Sequence, residues 1–425
     1  MLSSMYAGVS GLKVHQTKLD VIGNNIANVN TVAYKQSVIS FKEVFSRTLA
    51  GAQAPAEGGL GGVSPSQVGL GTGIGGITTI HTRGSIQPTG NPYDLAIEGA
   101  GYFVVSDGIG YKYTRAGNFT VDTHGNLVAS GGEKVLGWNK RPGEEVHAGR
   151  PLEPINLSNL FIPAKATDKI VFEGNLDSRI EPYEPANPVT GEPEKNVVEY
   201  NMTIYDSLGD SHTLLFKFKK SAPGTFSYSV SSLEPGMNIL QGAEGGSIIF
   251  DNEGRIHSKN IPGLSISFTT GAANINITPA DLVFDQNKFT QFSNEVGLFG
   301  IQNGYEPGTL DSIGIDREGK VMGKFTNGRS DHIGTIALAT FTNPSGLEKV
   351  GNSLFGVTWN SGDAVIGMAG GAGKGIIASN ALEMSNVDLS KEFTEMIVAQ
   401  RGFQANSKIL TTADEILQEL VNLKR

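Results

Sequence analysis

Residues 386–424 read NVDLSKEFTEMIVAQRGFQANSKILTTADEILQELVNLK, and residues 3–29 read SSMYAGVSGLKVHQTKLDVIGNNIANV. Each stretch repeats apolar side chains every seven residues, which is the spacing of a helix that pairs with another helix. The N-terminal set is Met5, Leu12, Leu19 and Ile26, widened by Leu2, Val9, Ile22 and Val29. The C-terminal set is Leu389, Met396, Phe403, Leu410 and Leu417, flanked by Ile409, Ile416 and Leu423. The spacing predicts a coiled-coil-like pair of terminal helices.

Polar residues at the ends of both stretches predict where the helices begin and end. Ser3 or Ser4 is placed to cap the first helix. Asp388 or Ser390, followed by Glu392, gives the second helix an acidic start, and its last residues, Lys424 and Arg425, are basic. Both charges suit the helix dipole.

Two kinds of partner are open to these helices: each other within one monomer, or the helices of other copies. Ordering about 27 residues costs roughly 30–50 kcal/mol. About eight buried apolar side chains return roughly 12–24 kcal/mol, and helix hydrogen bonds about 1 kcal/mol each. The net free energy of ordering one such helix is therefore near zero. A second helix of equally low stability is not enough to hold it in place. This favours neighbours in a polymer and helices that become ordered on assembly.

The composition excludes several classes of protein. With 42 acidic and 33 basic residues the net charge is −9, so neither nucleic acid nor insertion into a membrane is expected. No apolar run approaches the roughly 20 residues of a membrane span, and the N-terminus does not resemble a secretory signal peptide. The absence of cysteine fits a protein that works outside the cell. Export then needs a route without a cleaved signal peptide.

Between its ends the sequence predicts β structure. Glycine accounts for 56 of the 425 residues, which is typical of a chain with many tight turns. An Asp-x-x-Gly pattern recurs, and an Asp that opens a turn before a Gly at positive φ suits a short hairpin loop. Four instances are predicted to form such turns: Asp122/Gly125, Asp206/Gly209, Asp251/Gly254 and Asp316/Gly319. The first strands are expected at 77–81, 95–97, 102–105, 111–114 and 118–121.

Four other segments have distinct patterns. Residues 33–50 predict a short helical or extended segment packed on the first helix. The glycine-rich residues 51–76 predict a loop with little regular structure, and the four prolines of 181–194 predict an exposed loop. Residues 198–219 alternate apolar and polar side chains on both sides of Asp206, which predicts a hairpin.

No motif predicts an enzyme, a metal site or a cofactor. Gly71, Gly73 and Gly76 match G-x-G-x-x-G, but β-like sequence follows where a dinucleotide site needs a helix. Gly373 and Lys374 suggest a P-loop, yet Gly375 stands where the magnesium-binding Ser or Thr belongs. The histidines lack the spacing of a zinc site. We therefore expect no catalytic, metal-binding or cofactor-binding residues.

A cluster of asparagines closes the first heptad stretch: Asn24, Asn25, Asn28 and Asn30. Asparagine is a poor residue for a helix interior, so the cluster needs a compensating role. One interpretation is a frayed helix end with Asn30 as its cap. The other is that the side-chain amides bond across helix interfaces and fix their register.

Three stretches resemble one family, the axial proteins of the bacterial flagellum, which form its rod and hook. They are SGLKVHQTKLDVIGNNIANVNTVAYK at 10–35, NPYDLAIEGAGYFVV at 91–105, and residues 385–425. FEGNLDSR at 172–179 and NGYEPGTL at 303–310 resemble the hook branch. A large insert also favours that branch, and the distal rod branch is the alternative.

The resemblance implies a fold that is mainly β with terminal α-helices and nested β domains. Residues 1–70 and 375–425 would form the helical polymerisation domain. Residues 71–145 and 291–374 would form an inner β domain, and residues 146–290 an inserted, outer, barrel-like β domain. The insert's contacts are the least defined.

The resemblance also implies a structural subunit that self-assembles into a hollow, flexible tube and transmits torque as a universal joint. Its partners would be further copies, the distal rod protein, the hook cap, the hook–filament junction proteins and the flagellar type III export apparatus. The residues expected at the polymerisation interface are Met5, Leu12, Leu19, Ile22, Asn24, Asn25, Ile26, Asn28, Asn30, Leu389, Phe393, Met396, Gln400, Arg401, Phe403, Gln404, Asn406, Leu410 and Leu417.

Two rival hypotheses come from other classes. A β-rich adhesin or carbohydrate-binding module would pair its terminal helices internally and remain monomeric at every concentration. An enzyme is the third hypothesis, which a hydrolase screen on the purified protein tests.

Overall fold

The computed structural model describes residues 2–52, 62, 64–141, 144, 146–158, 160–186, 194–371 and 373–422, without the side chains of Leu2, Ser3 and Leu420. Within these ranges the chain is mainly β, with one long α-helix near each end. The predictions for Leu423, Lys424 and Arg425 lie outside the described residues, as do parts of the loops predicted at 51–76 and 181–194.

The two helices, α1 (Leu2–Ala27) and α2 (Leu389–Asn422), pack against each other as predicted. Asp388 caps α2, because its Oδ1 accepts hydrogen bonds from the backbone N–H groups of Ser390 (2.9 Å) and Lys391 (3.2 Å). The cap predicted for α1 is wrong. The chain is already helical at Leu2, so Ser3 and Ser4 lie inside the helix.

The strands follow in chain order, with one short 3₁₀ helix at Pro344–Gly346. They are β1 (Ser37–Glu43), β2 (Ser46–Ala50), β3 (Ser66–Gly69), β4 (Thr72–Thr79), β5 (Ile86–Pro88), β6 (Leu95–Glu98), β7 (Tyr102–Ser106), β8 (Tyr111–Thr114), β9 (Thr120–Val121), β10 (Leu127–Val128), β11 (Lys134–Asn139), β12 (Glu153–Pro154), β13 (Phe161–Ile162), β14 (Ile170–Asn175), β15 (Val197–Tyr205), β16 (Ser211–Ala222), β17 (Thr225–Ser232), β18 (Met237–Gln241), β19 (Ser247–Phe250), β20 (Ile256–Asn260), β21 (Leu264–Phe268), β22 (Ile275–Ile277), β23 (Leu282–Thr290), β24 (Gly297–Gln302), β25 (Gly308–Ile315), β26 (Lys320–Phe325), β27 (Ser330–Ile336), β28 (Leu338–Thr340), β29 (Glu348–Gly351), β30 (Leu354–Gly356), β31 (Val365–Gly367), β32 (Ile376–Ser379) and β33 (Ala381–Glu383).

The four Asp-x-x-Gly sequences named above all form the predicted turns. In each, the Gly has positive φ and its N–H donates to the carbonyl oxygen of the Asp. The Asp side chain holds the loop as well: Asp206 Oδ1 accepts the N–H groups of Leu208, Gly209 and Asp210 at 2.8–2.9 Å. These local bonds explain why the turns could be predicted from the pattern.

The region after α1 is more regular than predicted. Residues 33–50, expected to be helical or extended, contain the strands β1 and β2, which pair antiparallel with β4 and β3 respectively. The prediction of little regular structure for 51–76 is therefore wrong for its second half. Glycine does not prevent pairing there, because the neighbouring strand supplies the backbone partners: Gly73 lies opposite Lys42 and Gly76 opposite Ser40.

The chain divides into two compact units. The first, here the helix-bearing unit, comprises Met1–Ser158, Ile313–Gly323 and Asp331–Arg425. Its main sheet has the strand order β27-β11-β7-β8-β30-β29. Its core packs around Tyr102, Trp138 and Phe355.

The second unit, here the insert unit, comprises Asn159–Ser312 and Lys324–Ser330. It contains a five-stranded sheet, β15-β16-β17-β19-β20, and two three-stranded sheets, β18-β21-β22 and β23-β14-β24. The predicted hairpin is confirmed as β15–β16, with Met202 opposite Leu214. Its core is aromatic: the rings of Phe172 and Phe216 are 4.8 Å apart, and those of Phe172 and Phe284 are 5.1 Å apart.

Candidate assembly interface

The helices α1 and α2 contact each other through glycines. Gly8 and Gly11 on α1 face Asn406 on α2, and Gly402 on α2 faces the ring of His15. A Cβ on Gly11 would lie only 2.6 Å from Asn406 Oδ1, and one on Gly402 only 2.6 Å from His15 Nε2. The two backbones therefore approach closely because no side chain separates them.

The row of α2 that faces α1 is small or polar. It consists of Glu392, Ala399, Asn406 and Ala413, which repeat every seven residues and lie three positions after the predicted apolar set. Ala399 has no exposed surface. The side chains of the predicted apolar set are less buried: Leu389 is 39% exposed and Phe403 is 37% exposed. The helices α1 and α2 thus pair through a heptad position of α2 that differs from the position of the apolar repeat.

Large apolar side chains remain exposed on both sides of this row. At about 100° per residue they form two flanks of α2. The first flank is Leu389, Phe393, Ile397, Phe403 and Val421, and the second is Val398, Ile409 and Ile416. Phe393 is 50% exposed and Ile397 is 53% exposed. Several large apolar side chains exposed on one helix are typical of a protein–protein contact.

Polar groups join the C-terminal part of α1 to the N-terminal part of α2. Lys18 on α1 forms an ion pair with Glu395 on α2 (2.5 Å). Asn25, almost fully buried, donates from Nδ2 to the Ser37 carbonyl (2.9 Å) and to Glu392 Oε2 (3.2 Å), and its Oδ1 accepts the Ser37 N–H (3.0 Å). This amide joins α1, β1 and α2.

The other asparagines serve the end of α1. Asn28 Nδ2 donates to the carbonyl of Asn24 (2.9 Å), and the Tyr34 hydroxyl donates to Asn24 Oδ1 (2.7 Å). Asn30 is exposed. Asn25 thus bonds across the α1–α2 interface, whereas Asn24 and Asn28 bond at the end of α1. The cap proposed at Asn30 stays a prediction.

The remaining predicted interface residues differ in burial. Ile22 is buried. Half-buried are Met5, Leu12, Leu19, Ile26, Met396, Leu410 and Leu417. Gln400, Arg401 and Gln404 are exposed on α2.

A buried ion cluster lies close to the end of α1 and the start of α2, and the sequence analysis did not predict it. Glu383 Oε1 binds Lys35 Nζ (2.6 Å), and Glu383 Oε2 binds Arg115 Nη1 (3.2 Å). Burial lowers the pKa of Lys35, although Glu383 acts in the opposite direction. Lys35 follows α1 and Glu383 precedes α2, so this cluster holds the bases of both helices. No spacing pattern connects residues 348 positions apart.

His81 lies beside this cluster and hydrogen-bonds the Tyr102 hydroxyl through Nδ1 (2.7 Å). Burial, assisted by Lys35, Lys349 and Arg115, lowers the pKa of His81 to about 4. Burial also raises the pKa of Tyr102 to about 12. Both groups are therefore neutral near pH 7.

The described residues contain no group of three or more His, Cys, Asp or Glu side chains placed to hold a metal ion. Neither described helix is long and apolar enough to cross a membrane.

Family profiles match most of the chain. They are described as flagella basal body rod protein (residues 5–35), flagellar hook protein FlgE/F/G D1 domain (96–174), flagellar basal body protein FlaE D2 domain (175–305) and flagellar basal body rod FlgEFG protein C-terminal (378–423). The flagellar hook protein FlgE of Borreliella burgdorferi is 39% identical to this chain, over the full length of both. The chain belongs to the flagellar hook protein family.

Further relatives include both hook proteins and a rod protein. The hook protein FlgE of Treponema pallidum is 36% identical over the full length of both chains. A crystal structure of Helicobacter pylori hook protein FlgE2 has a TM-score of 0.50 and 15% identity, and the match covers 70% of this chain and all of that one. This likeness supports the mainly β fold. The basal-body rod protein FlgG of Bacillus subtilis is 34% identical over the full length of both. The hook proteins of Borreliella burgdorferi and Treponema pallidum exceed that identity, so the hook assignment is better supported than the distal rod.

Proposed function

We propose that this chain is the repeating subunit of the flagellar hook, a hollow, flexible helical tube that transmits torque from rod to filament. The observation that carries the proposal is the pair of exposed apolar flanks on α2. The row between them is already occupied by α1, so the flanks are free to contact helices of other copies. Contacts between unlike surfaces repeat without closing and produce a helical tube.

The domains then take different positions in the wall. Residues 1–70 and 375–425 line the inside of the tube, 71–145 and 291–374 form the wall, and 146–290 form an outer, barrel-like domain. The placement of the helices is supported by the two apolar flanks of α2, which need the most complete burial. The insert unit's separate aromatic core supports its independence from the helices.

The subunit has partners at both ends of the tube. These are the distal rod protein below and the hook cap and hook–filament junction proteins above. The chain reaches this position, outside the cell, through the flagellar type III apparatus and without a cleaved signal peptide. It has no catalytic role.

Paired substitutions on one flank of α2 test the proposal. Changing Phe393 and Ile397 to Ser removes apolar surface worth about 1.5–3 kcal/mol per fully buried side chain. The critical concentration for polymerisation should rise about tenfold or more. Lys408 and Thr412 are exposed on α2 and belong neither to the two flanks nor to the expected interface residues, so changing both to Ser is the control. Electron microscopy and sedimentation give the readout, and circular dichroism checks that the monomer is folded.

Polymerisation of the Phe393/Ile397 double variant at the wild-type concentration would contradict the role of this flank. Deletion of residues 1–35 or 385–425 should leave a soluble chain that does not polymerise. A full-length chain that stays monomeric at every concentration would instead favour the adhesin hypothesis.

A further inference from the structure

Trp359 is the most exposed large apolar residue in the described part of the chain, with a relative exposure of 106%. The loop that carries it is well bonded. Thr358 Oγ1 donates to the Gly346 carbonyl (2.6 Å), Ser361 Oγ donates to the Thr358 carbonyl (2.8 Å), and Asn343 Nδ2 donates to the Asn360 carbonyl (3.0 Å). An indole held in solvent by an ordered loop is suited to anchor a protein contact, because little conformational entropy remains to be lost.

The same unit contains a cavity of about 350 Å³. Its walls include Tyr34, Lys349, Ser353 and Phe355. A cavity of about 150 Å³ takes a benzene ring, so this one has room for an indole. The Lys349 ammonium lies 4.8 Å from the centre of the Tyr34 ring, and a cation beside an aromatic wall is a favourable environment for a further aromatic ring.

Residues with positive φ line part of this cavity. Five non-glycine residues have positive φ in the described chain, and three of them line it: Ala33 (56°), Asn352 (49°) and Ser353 (60°). Asn352 and Ser353 are the two central residues of the β29–β30 turn, where positive φ is the usual type I′ conformation, so Ala33 is the unusual one of the three. Asn28 and Tyr34 also line the cavity, so it continues directly from the end of α1 and the candidate assembly interface.

We propose that Trp359 of one copy inserts into the Tyr34–Lys349–Phe355 cavity of the next copy. This inference rests on the proposed polymer and identifies one of its contacts. The indole and the cavity belong to different segments: the cavity is lined by the β29–β30 hairpin from Lys349 to Phe355, and Trp359 lies in the loop that follows Gly356. Different surfaces of one subunit thus meet head to tail, which is the contact that a non-closing helical assembly requires.

The charges beside the indole and in the cavity also favour another copy of the chain as the partner. Asp363 is exposed on the Trp359 loop, where it lines a shallow surface depression with the indole. The cavity carries the cation Lys349, whose Nζ donates to the Lys35 carbonyl (2.9 Å) and to Ser37 Oγ (3.1 Å). An acidic loop with an indole therefore complements a basic, aromatic cavity.

Tryptophan fluorescence of the full-length chain tests this contact directly. The protein has two tryptophans. Trp138 is buried and donates from Nε1 to the Arg150 carbonyl (2.9 Å), so iodide reaches Trp359 selectively. The iodide-quenchable fraction should fall when the wild-type chain polymerises. Trp359→Ala should raise the critical concentration about 30-fold, as removal of an interface anchor does.

Two further variants locate the contact. Thr31→Phe places a ring at the rim of the cavity and should raise the critical concentration to a similar extent. Ile109→Ala truncates another side chain that is almost fully exposed in the same unit, and it should polymerise like the wild type. Circular dichroism of each monomer confirms that the fold is retained.

Other experimental outcomes would refute the Trp359 contact, the cavity as its site, or the proposed function. Polymers whose Trp359 stays as quenchable as in the monomer, or normal assembly of Trp359→Ala, would refute this contact and leave the proposed function intact. Protection of Trp359 together with normal assembly of Thr31→Phe would refute the cavity as its site. Failure of the wild-type chain to polymerise would refute both the contact and the proposed function.

Discussion

Glu383 binds Lys35 at 2.6 Å, and neither side chain has exposed surface. The bond joins the segment that follows α1 to the strand that precedes α2. Glu383 Oε1 also accepts the N–H of Gly84 (3.0 Å), and Lys35 Nζ donates to the Thr82 carbonyl (2.8 Å). Buried charges of this kind persist only when they are paired and fully bonded.

Glu383→Gln should therefore destabilise the protein strongly. It leaves the charges of Lys35 and Arg115 without their carboxylate, and breaking a buried pair costs about 3–5 kcal/mol. Urea unfolding at pH 7 measures the loss. Asp107→Asn is the control, because Asp107 pairs with Lys112 on the surface (2.8 Å), and it should change stability little. Equal effects of the two variants would show that the buried cluster is not a structural centre.

Alanine substitutions at two glycines distinguish the effect of helix propensity on stability from the effect of helix packing. A Cβ on Gly23 of α1 meets no atom within 4 Å, so Gly23→Ala should stabilise the chain by up to about 1 kcal/mol. A Cβ on Gly402 meets the His15 ring, which lies edge-on to Phe41 at 5.7 Å between ring centres. Gly402→Ala should lower the melting temperature despite its better propensity. A higher melting temperature for Gly402→Ala would mean that the helices do not pack closely there.

The sequence predicted those features that depend on neighbouring residues. The turns at Asp122 and Asp206 and the alternation along β15–β16 are local patterns with local hydrogen bonds. The face of α2 that contacts α1 was missed, because Ala399, Asn406 and Ala413 do not register in an apolar repeat. The Lys35–Glu383 pair was also missed, since it depends on tertiary structure and no spacing rule relates its members.

His81 should make stability depend on pH. Its pKa is about 4 in the folded chain and about 6.5 when unfolded, so the unfolded state binds more protons between these values. Stability from this group is present above about pH 6.5 and falls as the pH decreases towards 4. From pH 7.5 to 5 the loss is about 2 kcal/mol.

Urea titrations of the wild type and of His81→Gln at both pH values isolate this effect, because other groups contribute equally to both proteins. The variant should lose less stability on acidification. Parallel pH profiles for the two proteins would show that His81 is not held neutral by its surroundings.

Asn25→Asp should disrupt the junction of α1, β1 and α2 with almost no change in shape. The carboxylate retains the acceptor for the Ser37 N–H but loses the Nδ2 donor, which bonds the Ser37 carbonyl and Glu392. The Ser37 carbonyl is left without this donor, and two carboxylates face each other in a buried site, so the cost should be at least about 1–3 kcal/mol.

Asn24→Asp is the matched control for this change. Asn24 accepts hydrogen bonds through Oδ1 from Tyr34 (2.7 Å) and Asn28 (3.2 Å), and it is exposed. An aspartate keeps both acceptors, so its unfolding free energy should stay close to that of the wild type. Hydrogen exchange at the Ser37 amide should quicken in Asn25→Asp alone. If both variants unfold at the same urea concentration, Asn25 does not position the helices and the bonds at Ser37 are incidental to the pairing of α1 with α2.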